Sequence, residues 1–227
     1  YRGGRAPLHI THAIIDKSVD EIEVDAFRDC VRLLSVETHD GVKRVGTRAF
    51  SYCKLLRRIN LKSVTEIGSD AFYLCRSLVD VEFDELETIG KYAFGICTLE
   101  HLKLPSIVTI EAAAFTYCPL LTDIEFSERL ETINVRAFLG CERLQRIAIP
   151  LKRDLLVCDT IFEKCNQFDY CENLTTVDLV GFGGFHKTVA SLHMDSWRTE
   201  MIAEIDRINQ ALPTTPANDK TEVIRQW

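Results

Sequence analysis

A phenylalanine followed three places later by a cysteine recurs along most of this chain, and that spacing restricts what the chain can fold into. The phenylalanines are Phe27, Phe50, Phe72, Phe94, Phe115, Phe138 and Phe162, and their partners are Cys30, Cys53, Cys75, Cys97, Cys118, Cys141 and Cys165. Successive phenylalanines stand 23, 22, 22, 21, 23 and 24 residues apart. A period of this length marks a repeat protein, whose units bury their apolar faces only by stacking on neighbours. The 227 residues are therefore expected to form one elongated stack rather than spherical domains.

The interior units align. One holds Leu56, Ile59, Leu61, Val64, Ile67, Phe72, Cys75 and Leu78, and the next holds Val81, Phe83, Leu86, Ile89, Phe94 and Cys97. Each opens with an Ile-x-Leu alternation of period two, the mark of a half-buried strand. A return of about 22 residues to the equivalent strand accommodates a coil but not a hairpin, so parallel pairing is expected. Gly46, Gly68 and Gly90 share one position, where a tight turn with positive φ is expected. Ala49, Ala71, Ala93, Ala114 and Ala137 are small where the coil bends over its core.

The ends are less regular, as terminal repeats are. Residues 1–9 read as irregular, and residues 10–30 as an incomplete first unit with Ile15, Val19, Ile22 and Phe27 inside. The pattern decays after Ile149: Ile161 replaces the small alanine, Cys158 and Cys171 fall outside the spacing, and a strand from Leu174 to Leu179 closes the solenoid. From His186 to Leu212 the period lengthens to about 3.6, with Val189, Trp197, Met201, Ile205, Ile208 and Leu212 on one stripe. This is expected to be an amphipathic helix covering the exposed core. A second helix is expected after Thr215-Pro216 and to continue past Trp227. The expected division is thus 1–9 irregular, 10–180 solenoid and 185–227 C-terminal helices. The chain opens at Tyr1, so a preceding segment is also expected.

Seven of nine cysteines follow the repeat, and an odd total cannot pair completely within one chain. Buried, reduced thiols are expected, which favours an intracellular setting; disulfides between neighbouring rungs and a surface location are the alternative. Asn173-Leu174-Thr175 is a single short glycosylation match.

The run Leu-x-x-Ile-x-Leu, then Val-x-x-Ile-Gly-x-x-Ala-Phe-x-x-Cys, resembles the BspA-type class of leucine-rich repeats over about residues 10–180. The tail, Ile205-Asp206-Arg207-Ile208-Asn209 with Leu212-Pro213-Thr214-Thr215-Pro216, is similar to tails of algal, diatom-like members. The resemblance implies an α/β repeat, a leucine-rich-repeat solenoid with a curved parallel sheet used for protein–protein contact, often on microbial cell surfaces. It implies no catalytic residues.

Parallel strands place one row of side chains outward on the expected concave sheet: Glu37, then Arg58, Asn60 and Lys62, then Asp80, Glu82 and Asp84, then His101 and Lys103, then Asp123 and Glu125, then Arg146. Glu37, Arg58, Asn60, Asp80, Glu82, Lys103, Asp123, Glu125 and Arg146 are the candidate partner-binding residues. The competing reading is self-satisfaction, because signs alternate between rungs: Arg58 by Asp80, Lys62 by Asp84, Glu82 by Lys103, Lys103 by Glu125. That alternation and a net charge of −7 argue against nucleic acid. No apolar run reaches the roughly 20 residues of a membrane span.

Three further motifs are weaker. Gly181 to Thr188 nearly spells a phosphate-binding loop, but His186 stands where a glycine is needed and no nucleotide-binding domain surrounds it. Cys158, Cys165 and Cys171 lack the paired spacing of a zinc site. The six histidines are scattered. The sequence therefore reads as a non-enzymatic interaction or scaffold module for an unidentified protein partner, with no cofactor. The alternatives are a surface adhesin of the same fold and, from another class, a nucleotide-dependent regulator or enzyme acting through residues 181–188.

Overall fold

The periodicity is realised as coils laid side by side, each contributing two short strands and a run of tight turns. The computed structural model describes residues 1–79, 81–150, 152, 155–157, 167–180 and 189–190, with only the backbone described at Val177, Leu179, Val189 and Ala190.

First strands of successive coils build one side. These are β1 (His12–Ile14), β3 (Ser35–Glu37), β5 (Arg58–Ile59), β8 (His101–Leu104), β10 (Asp123–Phe126), β12 (Arg146–Pro150) and β13 (Thr176–Val180). Second strands build another: β2 (Glu21–Ile22), β4 (Arg44–Val45), β6 (Glu66–Ile67), β7 (Thr88–Ile89), β9 (Thr109–Ile110) and β11 (Thr132–Ile133). The second strands form one six-stranded sheet in the order β11-β9-β7-β6-β4-β2. The first strands split into β1-β3-β5 and a set containing β8, β10, β12 and β13, because Val81 to Phe83 lie outside any described strand. Pairing along both sides is parallel, as the period required.

The third side carries the phenylalanines. Phe27, Phe50, Phe72, Phe94, Phe115 and Phe138 are fully buried. Their rings stack with centroids 5.0–5.3 Å apart and interplanar angles of 3–11°. Parallel strands repeat at about 4.8 Å, so the sheet pitch sets the ring spacing. Ring planes touch at roughly 3.5 Å, so the rings must be slid into the offset geometry that aromatic pairs prefer.

Backbone geometry on this side has the same period. Residues two before and two after each phenylalanine adopt left-handed φ: Asp25 and Asp29, Arg48 and Tyr52, Asp70 and Leu74, Tyr92 and Ile96, Ala113 and Tyr117, Arg136 and Gly140. Each such non-glycine residue costs about 1 kcal/mol or more. The conformation aims alternate N–H groups along the stack: Arg48 N–H donates to Ser69, Phe50 N–H to Ala71 (2.7 Å) and Tyr52 N–H to Tyr73. The intervening N–H groups close turns within the coil, as from Ser51 to Arg48 and Cys53 to Phe50. Each coil's strain is thus balanced by bonds to the next, and a turn surface with no helix leaves few polar groups unpaired.

The structure corrects four expectations. First, the described residues contain strands and turns but no helix, so the α/β repeat becomes a β-solenoid there. The expected helices from residue 191 onward lie outside the described residues. Second, Val189, assigned to the helical stripe, lies in β14 (Val189–Ala190), antiparallel to Thr176–Val177 of β13. β13 is the last parallel strand and offers an open edge, which periodicity along a single segment cannot register.

Third, the seventh ring is Phe168, not Phe162. Phe168 stacks on Phe138 at 5.3 Å and 7°, and Cys171 continues the cysteine row. Leu156, bridged to Ile133, stands twelve residues before Phe168, whereas Ile133 stands five before Phe138. Seven extra residues therefore intervene, and the match Phe162–Cys165 belongs to this insertion, outside the described residues. Gln167 takes the alanine position: its carbonyl accepts from Phe138 N–H at 2.8 Å, and its buried amide donates to the Ile133 and Val157 carbonyls.

Fourth, Gly46, Gly68 and Gly90 do not have positive φ. A Cβ on Gly68 would sit 2.7 Å from Thr47 N, and one on Gly90 2.6 Å from Gly68 C. Close approach between coils is what demands glycine. Residues 1–9 form no strand or helix and pack over the first coil: Tyr1 packs on Phe27 at 4.8 Å and Ala6 N–H donates to Ala26.

Two outcomes follow. Phe168→Ala should destabilise the protein by roughly 3 kcal/mol and lower the melting temperature more than Phe162→Ala does; the reverse order in a thermal melt would return the seventh rung to Phe162. Gly68→Ala should cost about 1–3 kcal/mol through overpacking against backbone, measured by urea unfolding.

Candidate functional site

Outward positions on the first-strand side are fixed by the alternation that sends Val36, Ile59, Leu102, Ile124 and Ile147 inward. Register places Ser35 beside Arg58, and His101 beside Asp123 beside Arg146. Glu37, Arg58, Asn60, Glu82, Lys103 and Glu125 are exposed, while Asp123 and Arg146 are half-buried. Asp80 lies outside the described residues.

The face divides into two parts with different electrostatics. Toward the C-terminal end it is self-paired. Arg146 reaches Asp123 at 3.2 Å and Asp178 at 2.6 Å, His101 Nδ1 lies 3.1 Å from Asp123, and Lys103 lies 3.2 Å from Glu125. Such partly exposed pairs contribute at most about 1 kcal/mol each. Their larger effect is to occupy the charges. Toward the N-terminal end, Ser35, Glu37, Thr38, Arg58, Asn60, Lys62 and Glu82 line an open groove of about 660 Å³. There Lys62 pairs with Glu82, which hydrogen-bonds it and raises its pKa. Asp84 stays beside Lys62 as expected, its N–H donating to the Lys62 carbonyl at 3.2 Å and its charge also acting on Lys62. The expected Glu82–Lys103 pair gives way, Glu82 pairing with Lys62 and Lys103 with Glu125. The Lys103–Glu125 pair stands as read. Among the described residues, Glu37 and Arg58 have no ion-pair partner.

Repeat cysteines form a second array, whose role spacing alone did not reveal. From Cys53 onward each described thiol donates to the phenylalanine carbonyl of the preceding coil: Cys53 to Phe27 at 3.0 Å, Cys75 to Phe50 at 3.2 Å, Cys97 to Phe72 at 3.1 Å, and on to Cys171 and Phe138 at 3.1 Å. Cys30 donates instead to the Pro7 carbonyl at 3.7 Å. The seven described cysteines are free thiols. Burial raises the pKa of Cys75 and pushes that of Cys97 up to about 12. A buried thiol held as a hydrogen-bond donor is neither nucleophile nor ligand. Cys171 is half-buried but joins the stack through its bond to the Phe138 carbonyl, and the other two members of the imagined zinc set, Cys158 and Cys165, lie outside the described residues, as does Gly181–Thr188. Among the described residues no cluster of three or more His, Cys, Asp or Glu could hold a metal ion.

The turn side presents a further row the sequence reading missed. Tyr52, Tyr73 and Tyr92 meet edge to face at 5.9 and 6.5 Å, and Lys91 lies over the Tyr92 ring at 5.5 Å. Asp25 receives two hydrogen bonds from Arg48, at 2.8 and 2.9 Å, which hold its carboxyl below the usual range. The signal was present: tyrosines stand one or two residues after Phe50, Phe72, Phe115 and Phe168.

Stacked parallel strands with a buried ladder of leucine, isoleucine and phenylalanine define a leucine-rich-repeat solenoid. The profile of BspA type leucine-rich repeat regions matches residues 7–120, 56–169 and 108–186 in six copies, and the chain belongs to that family. Among solved structures it is similar to a leucine-rich repeat protein from Bacteroides ovatus, with 28% identity and a TM-score of 0.61 over 71% of this chain. It is also similar to a T. pallidum leucine-rich repeat protein, with 25% identity and a TM-score of 0.50 over 74% of this chain. The chain spans 41% of the first of these and 68% of the second. No curated protein matches it.

The thiol array makes an accessible prediction. At pH 8 a disulfide reagent should leave Cys53, Cys75, Cys97, Cys118 and Cys141 unmodified in the native protein and label them in urea, as read by mass spectrometry. Rapid native labelling of Cys97 would contradict its raised pKa and burial.

Proposed function

We propose that this chain is a non-enzymatic recognition module that binds a protein partner on the outward face of its first strands. The binding residues are Glu37, Arg58, Asn60 and Glu82 around the groove, continuing through Asp80 to Lys103, Asp123, Glu125 and Arg146. One observation carries the reading: beside the Lys62–Glu82 pair the groove keeps charges with no ion-pair partner among the described residues, whereas the C-terminal end is self-paired. Glu37 and Arg58 lack ion-pair partners among the described residues, while Asp123, Glu125 and Arg146 are held by their own neighbours. Contact energy is accordingly assigned to the groove, and the paired end to orientation.

A repeat scaffold suits this role because its surface is ordered before binding, so little entropy is lost on association. Family membership is compatible with protein binding. Among the described residues no helix is long and apolar enough to cross a membrane. On the sequence pattern, the solenoid of residues 10–180 carries the face, with 1–9 an N-terminal segment. The apolar stripe from Trp197 to Leu212 then serves as a helical cap.

The test is recovery of a cross-linked partner from native extract, comparing Glu37→Lys with Asn60→Lys against Lys103→Glu with Glu125→Lys. The groove pair should reduce recovery roughly tenfold and the already paired residues less. Equal recovery for wild type and the groove variant would remove the groove from the interface.

A further inference from the structure

Several charges in this stack meet an opposite charge across a coil boundary: Lys43 meets Glu85 at 2.8 Å, Arg44 meets Glu66 at 3.3 Å, Arg48 meets Asp25 at 2.8 Å and Arg129 meets Glu87 at 3.0 Å. On one edge the cations cluster without such partners. Where the turn side runs into the first strands, Arg32, Lys54, Arg57, Arg58 and Arg76 are all exposed, and none makes an ion pair among the described residues. They come from three successive coils: Arg57 N–H donates to Leu34 on the coil of Arg32, and Thr98 on the coil beyond accepts its place by donating to the Arg76 carbonyl. Five clustered cations with no ion-pair partner among the described residues stand out in a chain with net charge −7; Asp80, expected beside Arg58, lies outside those residues.

A cavity lies within this edge. Arg57, Arg58, Ser77 and Val79 line about 460 Å³ of open space. It exists because the first-strand ladder is interrupted there. At the position of Val79, other coils donate their N–H to the preceding coil: Arg57 to Leu34 at 2.9 Å, Thr122 to Glu100 at 2.9 Å and Gln145 to Thr122 at 2.8 Å. The Val79 N–H makes no such bond, and the Ser77 hydroxyl has no hydrogen-bond partner among the described residues. The residues lining this cavity carry two guanidinium groups, a hydroxyl and a backbone N–H, each able to donate a hydrogen bond.

We infer that this edge is a binding site for a sulfated linear polysaccharide, one sulfate lying in the cavity on Arg57, Arg58, Ser77 and Val79 N–H. Planar guanidinium forks match the oxygens of a tetrahedral oxyanion bidentately. Arg32, Lys54 and Arg76 extend the cation row across coils that repeat at about 5 Å, which suits a ligand with several anionic groups rather than one phosphoryl group. The exposed residues interspersed with them are Val31 and Leu55, which are aliphatic and offer no platform for stacking nucleic-acid bases. This site shares Arg58 with the proposed partner face but does not rest on that reading.

The test is titration calorimetry with a heparin oligosaccharide at about 50 mM salt, where screening is weak. Wild type should bind, with affinity falling as salt rises. Arg57→Gln with Arg58→Gln and Arg76→Gln should weaken binding roughly tenfold or more through lost counterion release, while Lys91→Gln with Arg143→Gln should not. Arg57→Gln alone, an exposed site, serves if the triple variant melts early, and a several-fold loss is then expected. Glu37→Lys should leave heparin binding intact, which separates this site from the partner face. Absence of wild-type binding, equal loss in the control variant, or equally tight binding of a phosphoserine peptide or a single-stranded oligonucleotide would each overturn the assignment.

Discussion

The structure depends on what happens at the phenylalanine. Its ring must lie in the stack at the pitch of the strands, and its N–H must point along the stack to the alanine of the next coil. Both conditions hold together only if the flanking residues turn left-handed. Arg48, Tyr52, Asp70 and Leu74 therefore adopt a conformation that none favours on its own. A single coil could not sustain this strain. Adjacent coils sustain it, because every strained residue in the interior donates an N–H across the boundary. The cysteine completes the unit by donating its thiol back to the previous phenylalanine carbonyl, so ring, backbone and sulfur all tie each coil to its neighbours.

The first-strand side is where this regularity relaxes. The second strands continue unbroken through six coils, yet the first strands are interrupted at Val81–Phe83. Both of those residues remain buried, so the core is not what gives way. The hydrogen-bond ladder gives way instead, and the two open spaces on this side lie beside the interruption. Lys62 and Glu82 still pair across it, but Glu37, Arg57 and Arg58 are left without an ion-pair partner among the described residues. Repetition neutralises a surface; an interrupted repeat leaves chemistry available.

Much of this was legible in residues. Alternation around Ile59, Leu102 and Ile124 assigned the inward and outward rows, and the period dictated parallel pairing. The pairing of Lys103 with Glu125 could be read because those positions sit in register on intact strands. Pairing around Lys62 could not, because it depends on a rung that leaves the ladder, and nothing in Val79 to Phe83 departs from the consensus. The tyrosine row and the thiol ladder were present as spacings, but their meaning required knowing which side of the coil each position faces.

By itself the sequence determined the architecture, because a Phe-x-x-Cys spacing with period-two strands has a stacked coil as its compact solution. It also determined which side chains are buried. Tertiary structure decided what depends on distance between coils. It set glycine at positions 46, 68 and 90 through backbone contact rather than φ, and it chose Phe168 over Phe162 for the seventh ring. In the last case both candidates satisfy the local spacing. Selection rests on which one brings its ring onto Phe138 while Leu156 stays beside Ile133, a condition set by neighbouring coils and invisible within four residues.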